Sequence, residues 1–220
     1  MIVFVIAMDS EAAPLIESMT DLSVQTVHGR KIYRGCLSGK PCAAVVCGVG
    51  KVNAAAGAQY AIDVLGAEKI VNVGVAGGLN GGTEVGKIYV IGEAVQYDFD
   101  LLAINGTPIG TLNEYSVPYL KLCVPPCPYP LRKLGTGDRF NDDEDDFLLL
   151  TRELKADIRD MEGGAIAQVC LHADVPFYSF KAISDVAGAG ATGEQFKRNL
   201  ELCAQNLRRE IFNVFRAVND

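Results

Sequence analysis

Residues 2–7 read Ile-Val-Phe-Val-Ile-Ala, apolar at every position and mostly β-branched. Such a run fits a strand covered on both faces, because neither side of it suits water. It passes directly into Asp9-Ser10-Glu11 and the helical stripe Leu15, Ile16 and Met19, with Asp9 or Ser10 as the expected cap. A buried strand feeding a helix is the unit of α/β folds, and the unit recurs along the chain. The patterning predicts strands at 31–37, 43–47, 69–73, 87–95 and 177–183, and helices at 51–65, 161–173 and 195–218. A further helix is predicted to start at Asn141, with Glu144 as its capping-box acid. Between 105 and 134, Pro108, Pro118, Pro125, Pro126, Pro128 and Pro130 forbid a regular helix. No repeat, linker or composition break divides the chain. The expectation is one three-layer α/β/α domain over residues 1–220, with a central mixed, mainly parallel sheet. Ligands in such folds gather at the carboxyl ends of strands. Residues 8–11, 48–50, 74–78 and 184–185 fall there.

Charge narrows the partners. Lys and Arg total 20 against 27 Asp and Glu, a net charge of −7. A nucleic-acid backbone asks for a basic surface, so no nucleic acid is expected. The 2–7 run has no basic flank and reads as a strand, not a signal peptide. No apolar stretch reaches the roughly 18 residues of a membrane span. The 7 cysteines sit mostly inside apolar runs, and an odd number there reads as reduced thiols of a cytoplasmic protein. Cys123 and Cys127 have no second pair to complete a zinc site.

Most motifs are weak. Gly48-x-Gly50-x-x-Asn53 lacks the third glycine of a dinucleotide fingerprint, and Gly50-Lys51-Val52 lacks the hydroxyl of a P-loop. There is no G-x-S-x-G elbow. His28 and His172 are the only histidines, and His172 sits near a helix end, so a Ser-His-Asp or His-metal enzyme is not expected. The run Asp142-Asp143-Glu144-Asp145-Asp146 lacks the alternation and glycine of an EF-hand loop and reads as a solvated helix start. Glu11, Glu162 and Asp185 differ from these by joint placement, each at a strand end beside glycine-rich walls. Three converging carboxylates suggest acid–base chemistry with no metal and no cofactor.

Six segments, in this order, resemble one family. They are Ile6-Ala7-Met8-Asp9-Ser10-Glu11, Gly48-Val49-Gly50-Lys51-Val52-Asn53-Ala54-Ala55, Asn72-Val73-Gly74-Val75-Ala76-Gly77-Gly78-Leu79, Thr136-Gly137-Asp138-Arg139-Phe140, Asp160-Met161-Glu162-Gly163 and Lys181-Ala182-Ile183-Ser184-Asp185-Val186-Ala187. Over nearly the whole chain the sequence resembles the 5′-methylthioadenosine/S-adenosylhomocysteine nucleosidases of the nucleoside phosphorylase superfamily. The resemblance implies hydrolysis of a purine N-glycosidic bond in a cytoplasmic homodimer, with a small nucleoside as substrate and adenine as a product of methionine salvage. It implies that Asp185 protonates purine N7, that Ser184 orients Asp185, and that Glu11 activates the water. It further implies that Glu162 and Met161 hold the ribose, that Phe140 stacks on the base, that the backbone at Asn141 reads the base edge, and that Gly77 lets the chain pass close to the nucleoside.

Met8-Asp9-Ser10-Glu11 stands where the phosphorylases carry a phosphate-binding Gly-Asp-Pro-x-Arg-like segment. An anionic Glu there repels phosphate and suits water, so hydrolysis is favoured over phosphorolysis. Departures from the family touch the substrate end. Val75 replaces a usual Ser or Thr, Asn141 is polar where an apolar residue is usual, and 116–134 is short and proline-rich. Gly188 and Gly190 loosen the loop after Asp185, and 104–113, an alkylthio-pocket segment in the family, matches poorly. A futalosine-type specificity therefore stands as an alternative, beside a phosphorylase and a non-catalytic nucleoside-binding protein.

Overall fold

The computed structural model describes residues 1–79 and 81–219; Asn80, in the glycine-rich stretch, lies outside the described residues. The chain runs β1 (Ile2–Ile6), α1 (Asp9–Ile16), β2 (Thr20–Val27), β3 (Arg30–Leu37), β4 (Lys40–Val46), α2 (Lys51–Asp63), β5 (Lys69–Gly78) and β6 (Ile88–Gln96). It continues through α3 (Leu102–Asn105), β7 (Leu120–Lys121), β8 (Leu131–Thr136), α4 (Glu144–Leu148, extended by a π turn over Leu149–Glu153), β9 (Ile158–Asp160), α5 (Gly163–His172), β10 (Phe177–Val186) and α6 (Thr192–Asn219).

β1 explains the layering. Side chains alternate across a strand, so Ile2, Phe4 and Ile6 pack with Ala12 and Leu15 of α1 and with Cys203, Leu207, Ile211 and Phe215 of α6. Val3 and Val5 face the other way, into Ala54, Ala58 and Ala61 of α2 and Ala165, Ile166 and Cys170 of α5. One apolar run thus holds a helix pair on each face, the three-layer α/β/α arrangement. The small side chains on α2 let it approach the sheet closely.

The sheet is mixed, in the order β10-β6-β8-β9-β5-β1-β4-β3-β2. Parallel ladders join β4, β1, β5 and β10. Because β10 also pairs with β5, the strands β5, β10, β6, β8 and β9 close into a ring. A third apolar cluster, with Leu79, Val95, Tyr97, Leu150 and Ala156, packs beside it. Strand β2 is the exposed outer edge and, among the described residues, pairs only with β3. Its sequence, Thr-Asp-Leu-Ser-Val-Gln-Thr-Val, carries too little apolar patterning to be predicted.

Several boundaries differ from the sequence expectations for local reasons. Neither Asp9 nor Ser10 caps α1. Asp9 instead forms an ion pair with Lys31 at 2.9 Å, and Glu11 reaches back to the backbone N–H of Met8 at 3.2 Å. The helix after Phe140 is capped by Asp143, whose carboxylate accepts the N–H of Asp146 at 3.0 Å, and not by Asn141. Asn141 is engaged elsewhere, donating to Asp146 Oδ2 at 2.8 Å. The acidic run is not wholly solvated either. Asp146 is buried, held by Arg139 at 2.6 Å and by Asn141, and Asp142 accepts the N–H of Thr192 at 3.2 Å. The glycine-rich stretch Gly74 to Gly78 is strand, and β10 likewise continues through Ser184 and Asp185. All 7 cysteines are free thiols. Among the described residues, no helix is long and apolar enough to cross a membrane.

Candidate active site

The carboxyl ends of β1, β5 and β10 open into a cavity of about 310 Å³, within the range of small-ligand sites. Glu11, Gly77, Phe140, Met161, Glu162, Ser184 and Asp185 all line it. Of the residues singled out in the sequence, only Asn141 is outside the lining.

Glu11 lies in the first turn of α1, over β5. Its Oε1 accepts the N–H of Val75 at 2.7 Å, and Oε2 accepts that of Met8. The carboxylate occupies the space beside Gly74, where a Cβ would stand 2.6 Å from Oε1. Gly74 is a strand glycine because it cedes its side-chain volume to Glu11. Burial raises the Glu11 pKa, while the Lys181 ammonium and the two backbone donors pull the other way.

Asp185 depends on a bulge. In the β10–β5 ladder Ile183 pairs with Ala76 and Asp185 with Gly77, leaving Ser184 as the extra residue. A bulge re-aims the side chains that follow it. Here it turns Asp185 into the cavity, with Oδ1 2.8 Å from where a Gly77 Cβ would be. Helix α6 pins the distortion. Asn199 donates to the Ser184 carbonyl at 2.8 Å, and Gln195 bonds both backbone groups of Val186 at 3.1 Å. The Ser184 hydroxyl donates to Asp185 Oδ2 at 2.7 Å. Burial raises the Asp185 pKa, against the Ser184 hydrogen bond and the Arg159 charge.

Glu162 precedes α5, and its Oε1 accepts the N–H of Gly50 at 2.9 Å. Gly50 has φ of 99°, a conformation that favours glycine and that aims this N–H. Burial, followed by the charge of Asp160, pushes the Glu162 pKa up to about 7.

Lys181, Asp160 and Thr136 form a buried network behind Glu11 and Glu162, and the sequence reading gave none of them a role. Lys181 Nζ lies 2.9 Å from Asp160 Oδ2, with the two side chains 2% and 1% exposed. Asp160 also accepts the Thr136 hydroxyl at 2.6 Å and the N–H of Gly163 at 2.9 Å. Burial works against the Lys181 ammonium, but Asp160, Glu162 and Glu11 outweigh it and raise its pKa. The sequence held a signal: a lysine inside the apolar run of β10 must find a charge partner once buried.

Phe140 and Phe196 form an aromatic wall, their rings 5.6 Å apart and nearly perpendicular. Val49, Val75, Ala76 and Lys197 add to the lining. Arg159 was also missed. It faces both this cavity and a neighbouring one of about 450 Å³, which Asp142, Phe147 and Gly188 help to line.

Among the described residues, no cluster of His, Cys, Asp and Glu is arranged to hold a metal. His172 ends α5 and stacks on Tyr115 at 6.1 Å, apart from the cavity lining. The site therefore offers a buried acid, a second carboxylate gripped by backbone donors, and a third at the cavity wall. That set can protonate a leaving group, activate water and stabilise a developing cation.

The phosphorylase superfamily model matches residues 1–216. A 5′-methylthioadenosine/S-adenosylhomocysteine nucleosidase from Marinomonas sp. is 30% identical, covering 91% of this chain and 91% of its own. The structure of the corresponding nucleosidase from Colwellia psychrerythraea, in complex with adenine, is 29% identical, with a TM-score of 0.87 over 96% of this chain and 93% of that one. A futalosine hydrolase from Helicobacter pylori shares the fold, with a TM-score of 0.86 at 24% identity over 96% of this chain and 94% of that one. The chain belongs to the phosphorylase superfamily and, within it, to the 5′-methylthioadenosine/S-adenosylhomocysteine nucleosidase family.

Proposed function

We propose that this protein hydrolyses the N-glycosidic bond of 5′-methylthioadenosine and S-adenosylhomocysteine, releasing adenine and the 5′-thioribose. The carrying observation is that Glu11, Glu162 and Asp185 share one cavity sized for a nucleoside. The names of relatives matching at 30% and 32% identity supply the substrate class.

As the C1′–N9 bond breaks, its electron pair passes to the purine and N7 takes a proton from Asp185. Burial keeps Asp185 protonated to a higher pH than an exposed carboxyl, which suits a general acid. Water adds to C1′ and gives its proton to Glu11. The oxocarbenium-like sugar between these events is positive, and the carboxylates of Glu11 and Glu162 favour it electrostatically. Each proton transfer contributes on the order of 10²–10⁴ in rate. Ser184 orients Asp185, Glu162 and Met161 hold the ribose, and Phe140 stacks on the base. Gly77 leaves room for the nucleoside, and the Asn141 backbone reads the base edge. A buried Glu11, already gripped by two backbone donors, favours water over an anionic phosphate.

We further propose a cytoplasmic homodimer that acts in methionine salvage, with residues 1–220 forming one domain. Val52, Leu102 and Ile104 are exposed, Ile104 at 80%, and the Lys51–Asp98 ion pair at 2.6 Å ties their segments together beside the cavity. Sedimentation at micromolar concentration tests the dimer.

Incubation with either nucleoside in phosphate-free buffer, followed by chromatography of the base, tests the chemistry. Adenine is expected without phosphate, and Glu11→Gln and Asp185→Asn each reduce turnover about a hundredfold or more while melting normally. Strict dependence on phosphate makes the protein a phosphorylase, and near-wild-type rates in both variants overturn the assigned roles.

A further inference from the structure

Arg159 lines the cavity beside Asp185, and the mechanism does not use it. It is 8% exposed, and among the described residues its side chain makes one hydrogen bond, a long one from Nη1 to Asn141 Oδ1 at 3.5 Å. A guanidinium carries five donors and no acceptor, so a single long bond leaves it donors to offer to a ligand in the cavity it lines. Strand register fixes its position. Gly77 pairs with Arg159 of β9 on one side and with Asp185 of β10 on the other. Because Gly77 has no Cβ, the two side chains share the space above it. Arg159 Nε lies 3.3 Å, and Asp185 Oδ1 2.8 Å, from the point where a Cβ would stand.

Asp185 addresses purine N7, so the neighbouring Arg159 addresses the substituent at C6, next to N7 on the same edge of the base. A donor-only group suits a C6 oxygen. With N7 taken by the Asp185 proton, O6 remains as the acceptor on that edge, and a guanidinium N–H gives it a charge-assisted hydrogen bond. A C6 amino group is itself a donor and gives the guanidinium nothing to bind. With such a base Arg159 stays on Asn141 or turns into the adjoining cavity, whose wall it also forms.

Resting on the nucleosidase reading above, we propose that the pocket also accepts 6-oxopurine nucleosides, with Arg159 as the residue that determines this specificity. Asn141, a polar residue where the family is usually apolar, is the resting partner that keeps the guanidinium at the base end when no oxo group is present.

The experiment measures kcat/KM for 5′-methylthioadenosine and for its 6-oxo counterpart, 5′-methylthioinosine, in wild type, Arg159→Met and Arg159→Lys. Wild type is expected to cleave both nucleosides, within about tenfold of each other. In Arg159→Met the oxo-to-amino ratio falls about 10- to 100-fold, the range that one hydrogen bond from a charged donor commands. Arg159→Lys, which keeps the charge but not the planar guanidinium, restores part of the ratio. Cleavage of the adenine nucleoside alone by wild type overturns this inference and leaves the nucleosidase reading intact. A ratio unmoved in Arg159→Met overturns the role of Arg159. Cleavage of neither nucleoside overturns the nucleosidase reading and this inference with it. The wild-type comparison needs no variant to fold.

Discussion

The buried Lys181–Asp160 pair sets the charge around Glu11 and Glu162, and Lys181→Met tests it. The substitution keeps most of the side-chain volume and removes only the ammonium. Asp160 would retain its bonds from Thr136 and from the Gly163 N–H, but its ion-pair partner at 2.9 Å would be gone. Breaking a buried pair by removing one partner costs about 3–5 kcal/mol. For a chain of this size each kcal/mol lowers Tm by roughly 2–4 °C, so the variant should melt about 6–20 °C below wild type. Scanning calorimetry at pH 7 measures this. The double variant Asp160→Asn/Lys181→Met leaves no unpaired charge and should recover most of the loss, since a neutral pair of similar volume is tolerated. Catalysis provides a second readout. Lys181 lowers the pKa values of both Glu11 and Glu162, so removing it raises both. Glu11 then becomes an available base only at higher pH, and the acid limb of kcat/KM shifts upward. A single variant melting within about 2 °C of wild type, or a double variant as unstable as the single, would refute the argument.

Gly74→Ala places a methyl group 2.6 Å from Glu11 Oε1; it should displace the carboxylate and cut kcat by about a hundredfold or more, with a loss of about 1–3 kcal/mol in denaturant unfolding. The folded-state pKa of Glu162 is raised to about 7 from an ordinary 4.5, so its burial destabilises the fold once pH exceeds the unfolded value, and in full above the folded one. Glu162→Gln should therefore raise Tm relative to wild type at pH 8 and leave it nearly unchanged at pH 4. Phe140→Ala removes one half of the aromatic wall and should raise KM about tenfold with a smaller change in kcat, because base stacking is worth about 1–3 kcal/mol. Asp143→Ala removes the α4 cap and should cost about 1 kcal/mol in thermal unfolding with little effect on turnover.

The parts of the fold legible in the sequence are those whose signal is local. Ile2 to Ile6 could only be a doubly covered strand, and the alanines of α2 only a closely packed helix. Glycine misled where its usual meaning failed. Gly74 and Gly77 suggest a turn, yet they continue β5, because what they make room for is Glu11 and Asp185, 63 and 108 positions away. The three acids were legible as a set because each ends a strand or begins a helix. Lys181 was readable in principle, as a charge within an apolar strand. Arg159 was not. An arginine before an acidic turn reads as surface, and only the ladder that places Gly77 between it and Asp185 reveals that it faces the base.

The closed ring also has a bearing on the order in which the molecule is built. Pairing β5 with β10 brings together Asn72 and Ser179, 107 residues apart. Long loops must close before such contacts repay them, so distant strand pairs form slowly. The strands from β1 to β5 can assemble while the ribosome is still making the rest, and they already carry Glu11 and the glycines that surround it. The proton donor arrives only with the strand that seals the ring. A nascent or truncated chain that stops short of residue 177 holds the base without the acid, and the capacity to cleave a nucleoside appears only when folding is complete.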